Sequence, residues 1–233
     1  MRIGGFQKFT MVDYPGKLAT TVFTVGCSFR CPFCHNPELV LPEKFPKLNN
    51  FEEEFFEFLK TRIGKLDAVC ITGGEPTIQP DIIKFIQKIK KLGFLVKLDS
   101  NGTIPEVLEK IIDKKIVDYI AMDIKTSQRN YSKAVGLNFD IEKINKSVKM
   151  IMDSGIPYEF RTTVVPGLHS EKDFKEIGKW IKGARAYYLQ EYREGIILDE
   201  NLKSITKGKK IDLEKISLFM GKYIKKVGLR LNN

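Results

Sequence analysis

The sequence predicts an α/β fold: six strand–helix units in series, wound into a parallel sheet as an open, partial barrel or a doubly wound sheet. Three observations predict it. Short apolar runs alternate with segments of helical period at a fairly even pitch along the 233 residues, the pattern of parallel strands joined by right-handed crossovers. Six such units fall short of a closed eightfold barrel. Polar motifs rich in Cys, Gly, Asp and Glu follow the apolar runs, and parallel strands place those ends on one edge.

The elements follow in order. Residues 6–16 form a short leading segment that ends in the Pro15-Gly16 turn. Residues 18–25 read as strand one, followed by the cysteine-bearing loop 26–37 and a Pro-containing stretch to Asn50. Asn50 and Glu53 make a cap-like pair before a helix with Phe51, Phe55, Phe56, Phe58 and Leu59 on its apolar face. Strand two, 68–72, ends in Gly73-Gly74-Glu75-Pro76. Pro80 opens a helix with Ile82, Ile83, Ile86, Ile89 and Leu92 on one side, closed by Gly93. Strand three, 94–98, ends in Asp99-Ser100-Asn101-Gly102, and Pro105 opens the next helix. Strand four, 119–122, ends in Asp123-Ile124-Lys125.

Ile141, Ile144, Val148 and Ile151 mark a helix stopped at Gly155. Strand five, 158–165, contains Arg161-Thr162-Thr163, and Ser170 with Asp173 starts the helix after it. His169 reads as a residue of that helix-start loop. Strand six, 186–189, ends in Gln190-Glu191-Tyr192-Arg193, and a last helix carries Leu213, Ile216, Phe219, Tyr223 and Val227. No linker splits the chain. The expectation is one domain over 1–233: an N-terminal segment 1–17, six strand–helix units over 18–192, and a C-terminal loop and helix over 193–233.

Composition narrows the function classes. Apolar residues make up 42% and charged residues 29%, an ordinary globular balance. No apolar run has the length of a membrane span. The N-terminus, Met1-Arg2-Ile3-Gly4-Gly5, lacks the pattern of an export signal. The expected location is therefore cytoplasmic, with no membrane partner, and there thiols stay reduced. The net charge of +10 comes from 39 Lys and Arg against 29 Asp and Glu. The Lys residues are scattered, with Lys207 to Lys210 the densest run, and not interleaved with aromatics. Solvated helix faces explain them better than a nucleic-acid groove.

Cys27, Cys31 and Cys34 sit on one loop at Cys-x3-Cys-x2-Cys spacing, and clustered cysteines in such a chain are metal or redox groups. Three readings compete. Structural zinc needs a fourth ligand; Cys70 is held inside strand two, and His35 is awkwardly next to Cys34. A c-type haem would use Cys31-Pro32-Phe33-Cys34-His35 but leaves Cys27 unused. A 4Fe–4S cluster would use all three thiolates and leave one iron open to a small molecule.

At these residues the chain resembles the radical S-adenosylmethionine (radical SAM) superfamily. Cys27-x3-Cys31-x2-Cys34, with Phe33 before the last cysteine, matches its signature, and Gly73-Gly74-Glu75-Pro76 matches its second motif. Cys34-His35-Asn36-Pro37 and Asp123-Ile124-Lys125 resemble the glycyl-radical-enzyme activases. The opening, Gly4 to Thr10 and Asp13-Tyr14-Pro15-Gly16, is similar to the activating proteins of anaerobic ribonucleoside-triphosphate reductase. The resemblance implies a partial, open (β/α)6 barrel of the radical SAM type. It further implies a 4Fe–4S cluster on Cys27, Cys31 and Cys34 that reductively cleaves S-adenosylmethionine to a 5′-deoxyadenosyl radical, which takes a hydrogen from a glycine of a partner enzyme. The partner would be a glycyl radical enzyme, an anaerobic ribonucleotide reductase. The electron donor would be a flavodoxin or ferredoxin.

The same resemblance implies the cofactor-binding positions. Gly73 and Gly74 would admit the cofactor's amino group, with Glu75 beside them. Phe33 and the backbone of Cys34 and His35 would lie near the adenine. Lys125 would meet the carboxylate, and Asp123 a hydroxyl or a cation. Asp99 and Ser100 lie at the same mouth, and a monovalent cation beside the cofactor is a feature of family activases. Arg161, in an apolar strand run, is expected to aim at the mouth or at a carboxylate. Tyr192 occupies a position where known activases carry a histidine. No catalytic side chain beyond the cluster and its cofactor is expected. The alternatives are a superfamily member acting on a small molecule such as a deazapurine precursor, and a metal-stabilised nucleic-acid module.

Overall fold

The strand-forming runs pair in chain order. The computed structural model describes residues 1–45 and 51–232. Its eight-stranded sheet comprises β1 (Ile3–Thr10), β2 (Ala19–Thr24), β3 (Ala68–Gly73), β4 (Leu95–Ser100), β5 (Tyr119–Asp123), β6 (Tyr158–Val164), β7 (Tyr187–Glu191) and β8 (Val227–Arg230). β1 is antiparallel to β2, and every later pairing is parallel. β1 and β8 are the two edges of an open α/β sheet. Asn50, and with it the expected cap pair with Glu53, lies outside the described residues.

The helices are α1 (Pro37–Val40), α2 (Phe51–Lys60), α3 (Ile82–Lys91), α4 (Pro105–Asp113), α5 (Tyr131–Val135), α6 (Ile141–Asp153), α7 (Glu171–Trp180), α8 (Leu202–Thr206) and α9 (Leu213–Met220). Their apolar faces follow the helical period. Ile82, Phe85, Ile86 and Ile89 are buried in α3, and Ile144, Val148 and Ile151 in α6. Ser170 and Asp173 start α7 through a reciprocal capping box. Pro80 stands just ahead of α3, whose cap is Asp81. Among the described residues no helix is long and apolar enough to cross a membrane.

Two end segments differ from expectation. Residues 3–10 are a strand: Gly4, Gly5 and two register shifts obscure the alternation that would have marked it. Val227 is not on the last helix. α9 stops at Met220, capped by Gly221, and the chain returns as β8 beside β7. The 3.5-residue spacing from Leu213 to Val227 crosses that turn by coincidence.

Register decides what each face of the sheet carries. Cross-strand partners and residues two apart share a face. Val69, Ile71, Val96, Leu98, Ile120, Met122 and Phe160 are fully buried on one face. Thr21, Cys70, Lys97 and Tyr119 align on the other, joined by Asp99, Asp123, Glu159 and Arg161. The inner face is thus polar and must neutralise itself. At its lower end Glu159, fully buried, accepts from Arg230 Nη2 at 2.8 and 3.0 Å and from the Tyr119 hydroxyl at 3.1 Å. The Arg230 guanidinium also lies 4.3 Å over the Tyr188 ring.

Removing Arg230 would leave a buried carboxylate with one neutral donor. Arg230→Ala is expected to destabilise the protein by about 3 kcal/mol, read from urea unfolding midpoints. A loss under about 0.5 kcal/mol, the range of an ordinary surface change, would show that β8 does not close this end of the sheet.

Candidate functional site

The cysteine loop leaves β2 and is pinned at once. Gly26 N donates to Leu39 O at 2.8 Å, Arg30 N to Val135 O at 2.9 Å, and Arg30 Nη1 to Cys27 O at 2.9 Å. The turn after β3 docks on the same stretch: Gly74 N donates to Thr24 O at 2.9 Å and Glu75 N to Gly26 O at 2.8 Å. The glycine pair is what allows this. Gly73 has φ +114°, and a Cβ there would stand 2.3 Å from Thr24 N; a Cβ on Gly74 would stand 1.9 Å from Gly26 O. Sequence reading assigned these glycines to cofactor approach. In the structure they seat one motif against the backbone that carries the other.

One cavity gathers the motifs. Cys27, Cys31, Cys34, Phe33, His35, Gly73, Gly74, Glu75, Asp99, Ser100, Asp123, Lys125 and Arg161 all line it. Phe29, Asn36, Val40, Thr72, Pro76, Asn101 and Thr163, which sequence reading did not single out as site residues, complete the wall. Thr163 was accessible to alternation, two residues beyond Arg161 on β6.

Arg161 organises the charges. Its Nε donates to Asp123 Oδ1 at 2.8 Å and its Nη1 to Asp99 Oδ2 at 3.0 Å. Lys125 Nζ donates to Asp123 Oδ2 at 2.9 Å, and Lys97 pairs with Asp99. Burial works against ionising Asp99, but Arg161 and Lys97 overcome it and hold its carboxyl below the usual range. Burial likewise opposes ionised Asp123, and Arg161 with Lys125 pulls it well below that range. Burial would also neutralise Lys125, yet Asp123 keeps it charged. Both carboxylates proposed for a monovalent cation are therefore already engaged by protein cations.

Glu75 and Ser100 line the cavity with their side-chain oxygens committed elsewhere. Glu75 is fully buried. Its Oε1 accepts from Thr77 N (3.0 Å), Thr77 Oγ1 (2.6 Å) and Ser100 Oγ (2.8 Å), and its Oε2 from Asn101 N (2.6 Å). Burial holds the Glu75 carboxyl above the usual carboxylate range, and these donors pull it only part of the way back. Both predicted positions thus line the cavity, with the Ser100 hydroxyl donating to Glu75.

Tyr192 stands apart from the other predicted positions. β7 ends at Glu191, and Tyr192 lies beyond it among residues lining a neighbouring cavity with Thr206, Lys209 and Lys210. Its ring centroid is 5.7 Å from that of His35, so it reaches the site through His35. The His35 Nδ1 lies 3.3 Å from Ile196 O.

His169 does more than precede α7. Its Nδ1 accepts from Val165 N at 2.9 Å, which puts the ring proton on Nε2, donating to Lys125 O at 2.8 Å. Burial holds its pKa below the ordinary value. A neutral imidazole thus fixes the backbone of Lys125 from 44 residues away.

The donor set suits an iron–sulfur cluster. Three soft thiols share one cavity wall. Among the described residues no three His, Cys, Asp or Glu side chains close on a point as a single-ion site requires. Burial pushes the Cys27 thiol up to about 11 and Cys31 up to about 12. At neutral pH the metal-free loop therefore carries protons that metal must displace. Cys70, pushed up to about 12 by burial, faces the sheet interior away from this loop.

The family model described as "Radical SAM superfamily" matches residues 21–181, more than half of the chain. The chain belongs to the radical SAM superfamily. A provisionally named glycyl-radical enzyme activating enzyme of Methanocaldococcus jannaschii is 34% identical over 99% of this chain and 96% of its own length. The pyruvate formate-lyase-activating enzyme of Streptococcus mutans is 27% identical over 77% of this chain and 72% of its own. The activase branch is thereby shown, and with it the use of a 4Fe–4S cluster and S-adenosylmethionine. Among solved structures, Streptococcus suis SuiB bound to S-adenosylmethionine superposes with a TM-score of 0.65 at 16% identity, a likeness of fold. It covers 90% of this radical SAM chain, which in turn spans about half of the SuiB chain (48%).

Two outcomes follow. Gly74→Ala should displace the cysteine loop from the β3 turn, costing about 1–3 kcal/mol and lowering iron bound after anaerobic reconstitution several-fold. Wild-type iron content at wild-type stability would contradict the seating. For His169, the unfolded chain takes up a proton below about pH 6.5 that the folded ring resists. Stability should thus fall as pH drops from 7.5 to 5.5, and His169→Gln should flatten that limb. Parallel limbs in urea unfolding at the two pH values would show the ring is not held neutral.

Proposed function

We propose that this activase generates a glycyl radical on an anaerobic ribonucleoside-triphosphate reductase, drawing its electron from a flavodoxin or ferredoxin. The observation that carries the reading is the single cavity shared by the three thiols, the Gly73-Gly74 turn and the Asp99–Arg161–Asp123–Lys125 network. The N-terminal likeness to activators of that reductase supports the choice of partner. Cytoplasm, where thiols stay reduced, suits the assignment.

In this reading Cys27, Cys31 and Cys34 hold the cluster and leave one iron for the amine and carboxylate of S-adenosylmethionine. When bound, the pair supplies reductive cleavage of the sulfonium to a 5′-deoxyadenosyl radical. The chain's residues orient that cofactor. Backbone at Gly73 and Gly74 receives the amino group, where no side chain obstructs. Lys125 meets the carboxylate, and Asp123 a hydroxyl. Lys125 and Arg161 are the cations that line this wall, where an anionic group would meet them. Phe33, buried, with the backbone of Cys34 and His35 forms the apolar side for adenine.

The test mixes cluster-loaded protein, dithionite and S-adenosylmethionine with the candidate reductase under anaerobic conditions. A glycine-centred radical in the electron paramagnetic resonance spectrum, with 5′-deoxyadenosine formed, is expected. 5′-Deoxyadenosine formed without a radical on that reductase would reject the partner while leaving the branch in place.

A further inference from the structure

We propose that Asn101 is a positioning residue for the cluster. Its side-chain amide donates to the Cys27 sulfur, locked in that orientation by Thr103, Ser28 and Glu75. The inference rests on Cys27 being a cluster ligand.

The amide orientation follows from donor chemistry. Thr103 N–H can only donate, so the Asn101 atom 3.0 Å from it is the oxygen Oδ1. The Thr103 hydroxyl donates to the same oxygen at 2.8 Å. The amide nitrogen must then face the other way, where it stands 3.0 Å from Ser28 Oγ and 3.7 Å from Cys27 Sγ. Ser28 Oγ lies 2.8 Å from Thr103 Oγ1, and with the Thr103 proton already given to Asn101, Ser28 is the donor there. Asn101, Ser28 and Thr103 thus form a closed ring in which each group donates once. The ring uses one amide hydrogen, and the second is free for sulfur.

The main chain is held as firmly. Asn101 N donates to Glu75 Oε2 at 2.6 Å, and Asn101 is buried. Cys27 receives a second donor from Phe29 N at 3.4 Å. Hydrogen bonds to a ligating thiolate stabilise the extra negative charge of the reduced cluster and raise its potential. The route from Glu75 through Asn101 to Cys27 therefore connects the glycine-rich motif to the electronics of the metal centre.

The test is a redox titration of cluster-loaded wild type, Asn101→Ala and Asn101→Asp, followed by electron paramagnetic resonance without S-adenosylmethionine. Asn101→Ala removes the donor without adding charge. At fixed poise its reduced-to-oxidised ratio should fall about tenfold, about 59 mV for one electron. Asn101→Asp keeps the Thr103 contacts through an oxygen and should fall at least as far. If either Asn101 variant does not load iron, Thr103→Val, which loosens the amide without touching the cluster, carries the test through a smaller drop. Fully loaded variants with wild-type potentials overturn the proposal. A wild-type protein that forms no 4Fe–4S signal would instead overturn the assignment of Cys27.

Discussion

A carboxylate removed from water needs donors on its lone pairs, and Glu75 finds them in its own turn and in the end of the next strand. Thr77 supplies two, Ser100 one and the backbone of Asn101 one. The backbone N–H of Glu75 donates to Gly26 O, two residues past the end of β2. One buried residue therefore ties together the ends of β2, β3 and β4, through its backbone to the first and its side chain to the last. That tie works with the Gly74 N to Thr24 O bond and the Asn101–Ser28–Thr103 ring to fix the three loops relative to one another. The close approach of Gly74 to Gly26 is its steric counterpart.

A second constraint acts along the inner face. Parallel strands buried on both sides usually carry apolar residues throughout, yet here Lys97, Asp99, Asp123, Glu159 and Arg161 point inward. Each is matched: Arg161 bridges two carboxylates on neighbouring strands, and Arg230 reaches from β8 to Glu159. This arrangement makes the wall rigid and sets two cations, Lys125 and Arg161, among carboxylates beneath the thiols. A zwitterionic cofactor with a carboxylate meets complementary charge there, held by groups that need not reorganise.

Much of this was legible in the sequence. β2 to β7 announce themselves because each is a short apolar run that passes into polar or turn-forming residues, and the three cysteines because soft-metal chemistry fixes residue type and spacing. β1 and β8 were hidden, the first by Gly4 and Gly5, the second by its four-residue length and the helical spacing that leads into it. Within the site, residue identity was readable but commitment was not. Glu75 and Ser100 carry oxygens suited to a cofactor, and only the fold shows the Ser100 hydroxyl donating to Glu75. His169 and Asn101 act through atoms distant in sequence or through an amide orientation set by a neighbour, which spacing cannot encode. Tyr192 fell outside the cavity because β7 ends one residue before it.

The central claim is that three protein thiolates hold a four-iron cluster whose remaining iron receives S-adenosylmethionine. Mössbauer spectroscopy of protein reconstituted with ⁵⁷Fe tests it directly. One iron in four should change its isomer shift when S-adenosylmethionine is added, while the other three keep theirs. Four irons that ignore the cofactor, or iron held as single ions, would contradict the account.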